Sequence, residues 1–196
     1  MTCIIGLEVF NKVYMISDSC VSNDNNYQKL RFPQKIFKIG PAVIGCTTSV
    51  RFLEIIKNGT FDGFRQSLER MSISPHLYVA GNVLIDVFVP ELIRNLENAG
   101  YLEINNNVSK GGTLLVGIAG ELYVIYNDFC VMRSGCEYAA IGSGADIASG
   151  AMGVLTKRIA EDKWDECVDA MLNDAMSVVC EHNQYVMPPF YIKSSG

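Results

Sequence analysis

The sequence predicts an α+β protein, a four-layer αββα sandwich of two mainly antiparallel sheets face to face, with helix pairs on the outer sides. Three observations carry this. Short apolar runs rich in β-branched residues come in blocks, not one at a time. Stretches with apolar residues at spacings of three and four separate those blocks, two helices at a time. Two-residue turns, Asn11-Lys12 and Gly40-Pro41, join neighbouring runs as antiparallel hairpins do. One strand alternating with one helix, the signature of a doubly wound parallel sheet, is not the pattern.

The elements follow in order. Residues 2–10 and 13–17 make the first hairpin, and "SNDNN", 22–26, is a polar loop. That loop lacks the central glycine and terminal glutamate of a calcium loop. "KIFKI", 35–39, and "AVIGC", 42–46, make a second hairpin. Val50, Phe52, Leu53 and Ile56 then recur at helical spacing, and Asn58-Gly59 stops that helix. Residues 60–75 read as a short helix and a loop. A long helix is expected from Tyr78 to Asn98, with Leu84, Phe88, Leu92 and Leu96 on one stripe, a kink at Pro90 and a cap at Gly100. After the polar loop "EINNNVSKGG" come four strands, "TLLVGIAG", "ELYVIYN", "FCVMRS" and "YAAIGSG". Two helices follow, one over about 145–160 and one carrying Trp164, Val168, Met171, Ala175 and Val178. The strand "PPFYIK" closes the chain. No linker or low-complexity stretch divides residues 1–196, which read as one domain.

Composition narrows the function. A hydrophobic fraction of 49% with 19% charged residues marks a chain that buries a core. The net charge of -5 argues against a general electrostatic grip on nucleic acid or anionic membrane. No apolar run has the roughly 20 residues needed to span a bilayer, and no leader-like segment opens the sequence. The seven cysteines lack C-x-x-C spacing and lie mostly in apolar runs, as reduced thiols of a cytoplasmic protein do. Cys180 and His182 give too few ligands, at the wrong spacing, for a zinc site. No motif implies a cofactor; in "SKGGT" the lysine precedes the glycines, unlike a phosphate loop.

Four segments carry a family resemblance: "TCIIGLEV" behind Met1, "VYMISDS", "QKIFKI" and "YAAIGSGADIASGAM". In this order and on this strand–helix pattern, the chain resembles the proteasome β-subunit family of N-terminal nucleophile hydrolases, with HslV and Anbu nearest. The resemblance spans nearly the whole chain and is loose over 60–110. It implies catalytic roles for Thr2, Asp18, Lys35 and Ser143. It implies a backbone oxyanion donor at Ser49 or Val50, and a peptide substrate added as a strand between the segments near Val21 and Thr47. Two departures stand out. The family has glycine at the oxyanion position, and it has an aspartate near the end of its last helix, where this chain has Ser177.

The chemistry of these residue types stands apart from the resemblance. A threonine hydroxyl needs a base to attack a carbonyl. Removal of Met1 gives Thr2 its own α-amine, with a reference pKa of about 7.7–8.0, suited to general-base work. An ammonium at Lys35 favours the neutral amine, and Asp18 holds Lys35 charged and oriented. Alone, Asp18 and Lys35 read as turn and strand-edge charges, and Gly142-Ser143-Gly144 as a turn with a serine N-cap. Cys3 is expected on the opposite sheet face from Thr2, packed in the core.

The leading expectation is therefore a threonine endopeptidase that self-assembles into a ring or helical stack. It would act on unfolded peptide or protein, with an ATP-dependent unfoldase as a candidate partner. The alternative is a catalytically silent subunit of the same fold that acts by assembly or protein binding. A small-molecule amidase is the third reading.

Overall fold

The computed structural model describes residues 2–23, 26–29, 34–105 and 108–196. Strands β1 (Cys3–Val9) and β2 (Lys12–Ser17) form the first hairpin; β3 (Cys20–Asn23) and β4 (Asn26–Lys29) form a second. Strands β5 (Ile36–Ile39) and β6 (Ala42–Cys46) form a third. Helices α1 (Val50–Asn58), α2 (Asp62–Ile73), α3 (Ala80–Val83) and α4 (Val89–Asn98) follow, then the short hairpin β7 (Glu103–Asn105) and β8 (Val108–Lys110). Strands β9 (Leu114–Ile118), β10 (Glu121–Ile125), β11 (Val131–Arg133) and β12 (Tyr138–Gly142) come next. Helices α5 (Ala145–Arg158) and α6 (Trp164–His182) and strand β13 (Tyr191–Ser194) complete the chain.

One sheet runs β12-β1-β2-β13 and the other β11-β10-β9-β6-β5, antiparallel throughout. The two-residue side-chain period divides β1 between two layers. Cys3, Ile5, Leu7 and Val9 pack under α5 and α6 with Met152, Met171 and Val179. Ile4 points the other way and joins Val13, Met15, Ile36, Val43, Leu115 and Leu122 between the sheets. A third apolar layer, centred on Phe52, Phe64, Phe88 and Leu92, lies under α1 to α4. These three apolar layers separate the four structural layers, helices, sheet, sheet and helices, that the sequence predicts. The sheets approach closely where side chains are missing: a Cβ at Gly6 would fall 2.8 Å from Leu122 Cδ1, and one at Gly117 2.6 Å from Val13 Cβ. The Glu8 carboxylate ties the sheets by accepting the Leu122 N–H at 2.6 Å.

Several elements differ from the expectation. The polar stretches 22–26 and 103–112 are not simply loops; each contributes to a two-stranded hairpin, because the ladder is made by the backbone and polar composition does not forbid it. Residues 24–25 and 106–107 lie outside the described residues. The ambiguous stretch 60–75 is mostly the helix α2, whose first-turn N–H groups at Gly63 and Phe64 are accepted by Glu91 at 2.9 and 3.1 Å. The long helix runs over 80–98 and meets Pro90 through a π-helical stretch, Leu84–Phe88, in which the Val89 N–H reaches back to the Leu84 carbonyl. Proline cannot donate to the ladder, and the wider turn just before it absorbs the break. Gly100, at φ +61, closes that helix end as expected. On α6 the stripe continues from Ala175 to Val179, four residues on, and leaves Val178 39% exposed. Among the described residues no helix is long and apolar enough to cross a membrane.

Candidate active site

The first strand of the sequence brings Thr2 to one end of the sandwich, 8% exposed, just ahead of β1. Asp18 follows β2 at the same end and is fully buried. Its backbone N–H donates to the Cys3 carbonyl, and its carboxylate accepts the Cys3 N–H at 3.0 Å and the Cys20 N–H at 2.9 Å. Lys35 sits in the bend immediately before β5, not within the strand. Its ammonium donates to Asp18 Oδ1 at 2.8 Å and to the Cys20 carbonyl. One carboxylate oxygen therefore holds both the lysine and the backbone N–H next to Thr2.

Burial works against charge at both ends of this pair. It pushes the Asp18 carboxyl above the ordinary carboxylate range, while Lys35 and the two backbone N–H groups pull it back. It pushes the Lys35 ammonium below the ordinary lysine value, opposed by Asp18. Cys3 packs in the helix-side core, on the face opposite Thr2, and burial with the nearby Asp18 pushes its thiol up to about 12.

Ser143 arrives from the other side. Strand β12 pairs with β1 so that Gly142 faces Cys3, and the chain turns there into α5. The Ser143 hydroxyl donates to the Thr2 backbone carbonyl at 3.4 Å. Gly144, not Ser143, is the N-cap of α5, so the hydroxyl serves the Thr2 strand. Gly142 has φ +97, and a Cβ there would land on the Thr2 carbonyl oxygen and 3.3 Å from Thr47 Cγ2. Thr2, Asp18, Lys35 and Ser143 thus converge at one end of the sheets.

The turn from β6 into α1 lies alongside. Thr47 is buried, and both its N–H and its hydroxyl donate to the Thr113 carbonyl at 3.1 Å. Its donors are thereby engaged within the protein. Thr48 has φ +92, a left-handed conformation rare for a β-branched residue, and its hydroxyl accepts the Thr113 N–H at 3.3 Å. The glycine-favouring conformation therefore falls on Thr48, one residue before Ser49. Ser49 is extended at φ -143; it caps α1 by accepting the Phe52 N–H at 3.1 Å, and its hydroxyl pairs with the Tyr101 hydroxyl at 2.8 Å. Val50 opens α1, whose first N–H groups have no intrahelical acceptor. Val21 lies on β3, paired with Gln28 of β4.

Ser177 does not reach the site: it is exposed on α6, and its hydroxyl donates to the Asn173 carbonyl at 2.8 Å. The side chain that reaches the Ser143 turn from the end of α6 is Asn183, whose amide donates to the Ser143 carbonyl at 2.9 Å. Ser19 is held from the same segment, its N–H and hydroxyl both directed at the Met187 carbonyl. Neither contact has a periodic signal in the sequence, because Asn183 and Met187 lie beyond the helix and before the last strand.

No family model and no curated protein matches the chain by sequence. Solved structures match nearly its whole length. Thiobacillus denitrificans BPH in complex with epoxomicin superposes with TM-score 0.69 at 13% identity, over 98% of this chain and 97% of that one. Eukaryotic HslV from Trypanosoma brucei gives 0.63 at 17% identity, over 98% of each chain. Anbu, an ancestral β-subunit, from Yersinia bercovieri gives 0.61 at 16% identity, over 99% of this chain and 81% of that one. With two antiparallel sheets between helix layers and this match along its length, the chain has the proteasome/HslV/Anbu-like fold of N-terminal nucleophile hydrolases.

Proposed function

We propose that the chain is a threonine endopeptidase in which Thr2, exposed as the N-terminal residue by removal of Met1, attacks the peptide carbonyl. The observation that carries this reading is the Asp18 oxygen shared by the Lys35 ammonium and the Cys3 N–H. A dry ion pair contributes little net stability, so a buried lysine fixed beside the residue after Thr2 points to chemistry. The Thr2 α-amine takes the hydroxyl proton, Lys35 favours the neutral amine electrostatically, and Asp18 orients Lys35. Ser143 supports the Thr2 strand, and a backbone N–H at Ser49 or Val50, where the chain enters α1, receives the oxyanion. Peptide adds near Val21 and Thr47, and because the Thr47 donors are engaged, its share of substrate pairing falls to its carbonyl. The protein works as a single domain and a homo-oligomer in the cytoplasm, on unfolded chains, with an ATP-dependent unfoldase as the candidate partner.

The test is protein made without an N-terminal tag. Its intact mass should show loss of Met1. An electrophilic epoxide or β-lactone probe, epoxomicin first, should add to the peptide beginning at Thr2. Thr2→Ala should abolish hydrolysis of an unfolded substrate and leave folding intact, while Thr2→Ser keeps part of the activity. Processed wild type that neither labels nor cleaves defeats the reading.

One observation favours the silent-subunit reading. The turn at Thr47, Thr48 and Ser49 carries side chains throughout, in a left-handed conformation at Thr48 that favours glycine. Full retention of Met1, which locks the Thr2 nitrogen in a peptide bond, would select that reading.

A further inference from the structure

Ser17 is fully buried, and among the described residues its hydroxyl has no hydrogen-bond partner. Such a group is unfavourable in a dry layer and is the usual anchor of an ordered internal water. Its place follows from the strand register. Ser17 lies opposite Ile4, and Ile4 faces the space between the sheets, against Gly45 and close to Ile36. Ser17 and Ile4 project to that side, and continuing the two-residue period of β1 by one residue puts Thr2 there as well. Val13 and Met15 precede Ser17 on the same face and are apolar, so polarity begins only at the end that carries Thr2.

With the β1–β2 register continued past Ile4↔Ser17, Thr2 falls diagonally across from Ser17. Diagonal positions in an antiparallel pair stand about 7–8 Å apart at Cα, and closer at the side chains. Two O–H···O bonds of about 2.7–2.8 Å each bridge that remaining gap with one water. No hydrogen bond engages the Thr2 hydroxyl among the described residues. We propose that Ser17 anchors a buried water that hydrogen-bonds the Thr2 hydroxyl from the inter-sheet side, making Ser17 a positioning residue for the nucleophile. The water holds one lone pair of the Thr2 oxygen in a fixed direction, so the other lone pair faces the substrate carbonyl. The proposal rests on the peptidase reading for its catalytic consequence and on the fold alone for the water.

The experiment uses processed, untagged protein. Ser17→Ala should lower kcat roughly tenfold with KM within about twofold, the mark of an interaction used in the transition state. Ser17→Thr, which keeps the hydroxyl in a strand-compatible side chain, should restore most of that kcat. A crystal structure of the wild type should show a water within hydrogen-bond reach of both Ser17 Oγ and Thr2 Oγ1. Wild-type kcat in Ser17→Ala, a loss confined to KM, or no water at that place overturns the proposal. A processed wild type inert to substrate and probe defeats the peptidase reading and the positioning role with it; electron density then decides the water by itself.

Discussion

Lys35 and Asp18 meet at 2.8 Å with side-chain exposures of 6% and 0%. At that burial, desolvation of the two ions offsets most of their attraction, so the intact pair is a poor source of stability. Breaking it is a different matter. Lys35→Ala or Asp18→Ala leaves one charge buried and unpaired and should cost about 3–5 kcal/mol. Urea denaturation at neutral pH measures this; a loss below about 1 kcal/mol would mean that water reaches the pair.

The same pair sets a pH dependence whose two readouts run in opposite directions. Burial lowers the Lys35 pKa from 10.5, so the folded protein holds that proton more weakly than the unfolded chain does. Unfolding then takes up a proton between the folded value and 10.5, and the stability attributable to Lys35 rises with pH across that window. On the peptidase reading, hydrolysis should fall across the same window as the ammonium is lost. Denaturation of wild type and Lys35→Met over an alkaline pH series isolates the stability term. A difference that shrinks as pH rises contradicts it.

Gly142→Ala should be among the costliest single-methyl additions in the chain. The backbone there has φ +97, and the new Cβ would displace the Thr2 carbonyl. The loss should exceed about 3 kcal/mol, since left-handed strain alone reaches that order. Gly135→Ala is the control, because nothing lies within 4 Å of its Cβ position and it should be close to neutral. Equal thermal midpoints for the two variants would refute the crowding at Gly142.

The thiols should separate by alkylation. Cys130 and Cys136 are exposed, whereas Cys3, Cys20 and Cys46 are buried. Burial also pushes the Cys3 thiol up to about 12, so almost none is thiolate near pH 8. Iodoacetamide at that pH, followed by peptide mapping, should modify Cys130 and Cys136 and spare Cys3 until the protein is denatured. Early modification of Cys3 would show that the strand behind Thr2 opens readily.

How far the sequence could be read depended on what each element is made of. Strands β1, β6, β9 and β10 are legible because their faces are apolar on both sides, and α1 because its apolar spacing and its Gly59 stop agree. The hairpins β3–β4 and β7–β8 are not, because their sequences are polar and a backbone ladder leaves no mark in composition. At the site, Thr2, Asp18, Lys35 and Ser143 could be named only through the resemblance of the strand segments that carry them; alone they read as turn, strand-edge and capping groups. Asn183 could not, since its contact with Ser143 joins two turns 40 residues apart. Thr48 was hidden for another reason: a β-branched residue at φ +92 contradicts its own propensity, and only the fold around Thr113 shows why the chain turns there.

The crowding at Gly142 has a bearing on how relatives of this chain should be judged. What a side chain at 142 would strike is the main-chain oxygen of residue 2, an atom that every amino acid carries. The constraint therefore outlives the hydroxyl. A chain with alanine in place of Thr2 would still need glycine at 142 to bring its strands together. Glycine at this place is a demand of the architecture, and its presence by itself says nothing of whether a chain turns over substrate.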